Sequence, residues 1–160
     1  MGDIILRINT FIDDDCAESG KLCQVVVRPD STFTCYHGRA GIEIDSILDL
    51  APANLYEKVS KLADVEPLEC HDVPEPTRCG DDYGRLQPEE LTAAQLDVVL
   101  ICYALKGLRT WGTNECVSPK TMDWYNRVAD RYADGWLAKA FASFKYERQY
   151  FDLIEVIRSD

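Results

Sequence analysis

Residues 69 to 84 read ECHDVPEPTRCGDDYG and bring two cysteines, one histidine and five carboxylates together with two prolines. Thiolate sulfur and imidazole nitrogen are the donors a tetrahedral zinc takes, so Cys70, His71 and Cys79 form a candidate ligand set, with Cys35 or His37 as a fourth donor from elsewhere in the fold. The spacing argues against it. An adjacent Cys-His pair and a wide gap to Cys79 do not match the short C-x₂₋₄-C knuckles that turn two side chains toward one ion. The same residues read equally as an acidic, solvated contact loop, and that reading is preferred.

A second arrangement lies at Cys35-Tyr36-His37. On a strand, period 2 puts Cys35 and His37 on one face, and a histidine beside a cysteine can draw off the thiol proton to make a nucleophile. Neighbours two apart on a strand are separated by about 6.5–7 Å at Cα, so direct transfer needs favourable rotamers. The competing reading is a surface histidine at a hairpin end. With His37 and His71 the two histidines of the chain, a Ser-His-Asp triad has few options. There is no G-x-S-x-G elbow, P-loop, G-x-G-x-x-G or H-E-x-x-H. Asp13-Asp14-Asp15 resembles a hard-cation cluster, yet it lacks the alternation and central glycine of a calcium loop. No motif implies a cofactor.

Charge is more informative than any motif. The chain of 160 residues has 28 acidic and 17 basic side chains and a formal charge of −11. Residues 1–90 hold 19 of the acids and 8 of the bases, and residues 91–160 hold 9 of each, so the whole excess sits in the first 90. A field of that sign repels nucleic acid, anionic membranes and phosphorylated ligands as direct partners and favours basic ones. The N-terminus MGDIILRINTFIDDD has no basic region ahead of an apolar run, and VVLICYAL, residues 98–105, is far short of the roughly 18 apolar residues of a membrane span. Seven cysteines, an odd number, point to free thiols in a reducing compartment. A cytoplasmic protein is expected.

These residues need elements to hold them. Ile4, Leu6 and Ile8 alternate as in a half-buried strand, and LCQVVVRPDSTFTCYHG is two β-rich runs around Pro29-Asp30-Ser31, a hairpin. A short IEI segment follows Gly41. Leu55, Val59 and Leu62 mark a helix with Glu57, Lys58 and Lys61 outside, ending near Asp64. The span from Val65 to about Leu86, with Pro67, Pro74, Pro76, Gly80 and Gly84, predicts a long acidic loop. Thr92 and Gln95 fit a capping box, with Leu91 and Leu96 as its staple, opening a helix over 93–106 that is stopped by Gly107. Its later part is apolar all round, which predicts a central buried helix.

Ser118-Pro119 opens a further helix with Met122, Tyr125, Val128, Ala129 and Tyr132 on one face. After Asp134-Gly135 the stripe Trp136, Leu137, Ala140, Phe141 and Phe144 marks another. YFDLIEVIR suits a strand by composition, although Phe151, Ile154 and Ile157 also fit a helical face. A strand returning to the N-terminal sheet is the preferred reading. The expected fold is α+β and a single domain over 1–160: an acidic half 1–64, an acidic loop 65–86 and a helical half 87–160. Trp111, in a loop beside Arg109, is a candidate contact anchor, whereas the tryptophans on helical stripes read as core.

The functional expectation follows from charge and size. An interaction protein would dock Asp13, Asp14, Asp15, Glu66, Glu69, Asp72, Glu75, Asp81 and Asp82, with Trp111, on a basic surface of a nucleic-acid-handling protein such as a nuclease. Anti-CRISPR factors, anti-restriction factors and nuclease-immunity proteins use that physics. The alternatives are an enzyme with a site assembled from the Cys and His residues, or a zinc-stabilised binding domain. A negative surface serving only solubility competes with all three.

Overall fold

Alternation decides the first strand. Ile4, Leu6 and Ile8 are fully enclosed, and strand β1 runs Ile4–Ile12. The computed structural model describes residues 2–12, 21–37, 42–44, 52–69, 86, 88–106, 119–133, 135–144 and 149–159. Strands β2 (Lys21–Val27) and β3 (Phe33–His37) form the expected hairpin, β4 is Ile42–Ile44, β5 is Leu68–Glu69 and β6 is Gln149–Arg158. They make one sheet in the order β4-β3-β2-β1-β6-β5, with every neighbouring pair antiparallel. Strands from both chain ends and helices in the C-terminal half make the fold α+β.

The hairpin turn shows how local chemistry sets register. Pro29 and Asp30 lead into Ser31 at φ 68°, and Arg28 N donates to the Thr32 carbonyl at 2.8 Å. This is a three-residue loop with a left-handed last position, normally taken by glycine. Serine serves here because its hydroxyl accepts the Tyr56 amide at 2.9 Å and so ties the turn to the start of helix α1 (Leu55–Ser60). The Asp30 carboxylate accepts from the Thr32 hydroxyl and amide at 2.6 and 3.0 Å, which holds its pKa below the ordinary value.

Strand β6 joins the sheet beside β1, and its spacing is unusual. Asn9 faces Leu153 but Thr10 faces Phe151, so Asp152 is an extra residue, a β-bulge. The bulge turns Phe151 onto the same face as Ile154, and both are fully buried. The outer edge of β6 does not stay open, because Leu68 and Glu69 pair with Ile154 and Leu153. Leu86 exchanges two backbone hydrogen bonds with Phe151, at 2.7 and 2.9 Å. The span expected as one long loop therefore contributes a sheet edge at residues 68–69, since an open row of N–H and C=O groups is capped by any segment brought alongside.

One face of the sheet carries Ile4, Leu6, Ile8, Cys23, Val25, Val27 and Cys35, all buried. Helix α2 (Ala93–Lys106) lies against β1, β2 and β6, and every residue from Val98 to Leu105 is buried. This is the central helix that the all-round apolar run predicts. Its start is the capping box: Gln95 N donates to the Thr92 hydroxyl at 3.1 Å, and Thr92 N donates to Gln95 Oε1 at 2.9 Å. Leu91 and Leu96 are both buried, as a staple requires. Thr92→Ala is expected to lower the unfolding free energy by about 1 kcal/mol, read by urea denaturation, and Thr92→Ser to retain most of it.

Helix α3 (Pro119–Val128) runs directly into a 3-10 turn at Ala129–Tyr132, and helix α4 covers Ala138–Phe144. Tyr125, Tyr132, Ala140 and Phe141 are buried. Phe141 joins the two tyrosines, edge-on to Tyr125 at 5.8 Å and stacked on Tyr132 at 5.1 Å between ring centroids. Gly135, at φ 102°, takes the chain from the 3-10 turn toward α4, a backbone state that a side chain would strain.

Candidate functional site

The carboxylates of the acidic half divide into those the structure describes and those it does not. Asp13, Asp14, Asp15, Asp72, Glu75, Asp81 and Asp82 lie outside the described residues, as do Trp111, Cys70, His71 and Cys79. Glu66 is exposed, and its carbonyl accepts Gln95 Nε2 at 2.9 Å, so the backbone beside this carboxylate is fixed to the start of α2. Glu69 stands in β5 opposite Leu153. Glu57 and Asp64 are exposed on and just after α1.

Two ion pairs are formed among the described residues, Arg7 to Glu155 at 2.8 Å and Arg131 to Asp97 at 2.8 Å. Both take their carboxylate from the neutral half of the sequence. The first even consumes a cation of the acidic half. Glu57, Asp64 and Glu66 are held by no ion pair among the described residues, so their charge faces solvent.

The thiol and imidazole set fares differently. Cys35 is fully enclosed, between Val25 and Ile44 in the sheet register, where its sulfur packs as a small core residue. His37 ends β3 opposite Cys23 and Ile42. An enclosed Cys35 is out of reach of a substrate in solution, which removes it as a nucleophile. Cys23 and Cys102 are likewise buried. Among the described residues no three His, Cys, Asp or Glu side chains converge as metal ligands, and no helix is long and apolar enough to cross a membrane.

A feature that the sequence reading did not anticipate lies between α1, α2 and the segment leading to α4. It is a cleft of about 450 Å³, a size in the range of small-molecule sites. Helix α1 and the turn after it supply Lys58, Lys61 and Leu62, and α2 supplies Asp97 and Ile101, one helical turn apart. Arg131, Tyr132, Gly135, Trp136 and Leu137 close the other side. Trp136 and Leu137 are half-buried: they pack on the core with one side and line the cleft with the other, which corrects the reading of Trp136 as plain core.

Asp97 organises the floor. One carboxylate oxygen takes Arg131 Nη2 at 2.8 Å, and the other takes the Tyr132 hydroxyl. The guanidinium also sits 5.6 Å from the Tyr132 ring centroid. Burial, helped by the hydrogen bond to Asp97, pushes the Tyr132 hydroxyl above its ordinary pKa, so it stays a proton donor at neutral pH. With Asp97 committed to Arg131, the cleft keeps the charges of Lys58 and Lys61, neither of which forms an ion pair among the described residues. Cations over apolar walls make a surface for binding. A lone carboxylate in a mostly apolar helix, with two lysines three apart at the end of another, is the sequence signal that would have pointed here.

Comparison with protein-family models, curated proteins and solved structures finds no match to this chain.

Proposed function

We propose that this protein acts by binding another protein, docking its acidic half on a basic surface of a nucleic-acid-handling partner, in the manner of an anti-CRISPR, anti-restriction or nuclease-immunity protein. The observation that carries the reading is the excess of negative charge in the first 90 residues. The excess of −11 lies there, and the ion pairs of the described residues spend carboxylates only from the other half. Solvent-facing carboxylates that no internal cation cancels keep a long-range field, which steers a basic partner in and occupies contacts meant for phosphates. The enclosure of Cys35 supports this over a catalytic Cys-His pair on β3.

The test is capture from a native host lysate followed by washes of rising salt. A basic nuclease or nucleic-acid-binding complex should be retained at low salt, released as salt rises, and lost when Asp81 and Asp82 are changed to lysine. Purified protein should then inhibit that partner's activity on nucleic acid. Retention of the partner by the Asp81→Lys, Asp82→Lys variant, with loss on Cys70→Ser and His71→Ala, would reverse the assignment in favour of the thiol and imidazole set.

A further inference from the structure

We propose that the cleft between α1, α2 and residues 131–137 binds a small amphipathic anion, a molecule with a phosphate, sulfonate or carboxylate group on a planar apolar body. Charge is the first argument. In a half of the chain where acids outnumber bases by 19 to 8, two of the bases, Lys58 and Lys61, stand one helical turn apart at the mouth of the same cleft. Like charges at that spacing on a helix repel each other, and an anion between them relieves the repulsion. Asp97, the acid among the described residues that line the cleft, does not do so, because it is committed to Arg131 and Tyr132.

Shape is the second argument. Leu62, Ile101, Trp136 and Leu137 give the cleft apolar walls, and the Trp136 indole is a planar group among the residues that line it with the two lysines. Small-molecule sites combine such walls with a few placed polar groups. A bare ion would use the lysines and waste the walls. A neutral aromatic compound would do the reverse. Glu66 of the proposed docking set does not line the cleft, and the test succeeds or fails whatever becomes of that reading.

The probe is 1-naphthyl phosphate, titrated into ¹⁵N-labelled protein and followed by amide and indole NMR shifts, with 1-naphthol and inorganic phosphate as controls. Saturable shifts are expected in residues 58–62, at Asp97 and Ile101, and at the indole N–H of Trp136, identified by its disappearance in Trp136→Phe. Each control should bind at least about tenfold more weakly, the loss of one charged contact or of the apolar contact area. The Lys58→Gln, Lys61→Gln variant should weaken 1-naphthyl phosphate by about tenfold or more, and its spectrum reports directly that it is folded. The proposal is overturned if 1-naphthol or phosphate binds as tightly as the naphthyl phosphate, if the shifts gather elsewhere, or if the double lysine variant binds like the native protein.

Discussion

Phe151→Ala is expected to lower the free energy of unfolding by about 3–5 kcal/mol, whereas Ile157→Ala, in the same strand, should cost well under half of that. The two side chains lie on opposite faces of β6. Phe151 is fully buried beside Thr10 and the Leu86 bridge, and Ile157 is half-buried opposite Ile5 on the other face. Removing the phenyl ring takes away its burial and leaves a cavity that the sheet does not readily close, because the N–H and C=O of Phe151 are both hydrogen-bonded to Leu86. Urea denaturation of the two variants makes the comparison. Equal losses, or a larger loss for Ile157→Ala, would mean a slipped register, since a shift of one residue moves every side chain of the strand to the opposite face. Deleting Asp152 is expected to do the same damage as the phenylalanine truncation, by putting Phe151 out of phase.

That bulge also explains where sequence reasoning met ambiguity. Phe151, Ile154 and Ile157 recur every third residue, the period of a helix, in a segment of β-forming composition. The spacing of the first two comes from Asp152: an inserted residue lets a strand bury positions three apart. The third, Ile157, is on the other face and is no part of the pattern. Where the local signal is complete, the elements are legible in the sequence. Thr92 and Gln95 contain both halves of the cap, and Ile4, Leu6 and Ile8 contain their face. The pairing of Leu68–Glu69 with β6 was not readable, because a two-residue edge strand is selected by the edge it covers and not by its own propensity.

The cleft escaped notice for a related reason. Lys58 and Lys61 look like the solvated side of α1, and Asp97 like an ordinary early residue of α2, until the chain brings residues 131–137 against both. Sites assembled from three separated segments leave only faint traces in any one of them. The acidic half was legible as composition from the start. Its geometry is partly so: Glu57, Asp64 and Glu66 face solvent, Glu69 stands in β5, and the remaining carboxylates named from the sequence lie outside the described residues.

Above pH 10 the protein is expected to lose stability at about 1.4 kcal/mol per pH unit on account of Tyr125 alone, with Tyr132 adding to the loss. Tyr125 is 1% exposed, and burial first, then the nearby charge of Glu89, raises its hydroxyl well above the ordinary value of 10.0. In the unfolded chain the same hydroxyl ionises at that ordinary value. The folded state therefore holds a proton that the unfolded state gives up, so the stabilisation is complete below pH 10 and is lost as pH rises toward the folded value. Tyr132, held by Asp97, shifts in the same direction and works in the same window. Urea denaturation at about pH 8, 10 and 11 measures the slope, and absorbance of the phenolate follows the eight tyrosines of the chain. Tyr125→Phe should remove much of the slope. Glu89, whose carboxylate also accepts the Thr121 hydroxyl at 3.0 and 3.1 Å, is the smaller cause, so Glu89→Gln should leave most of it. A stability that stays level to pH 11, with all tyrosines ionising together near 10, would contradict the enclosure of Tyr125 between α3 and Phe141.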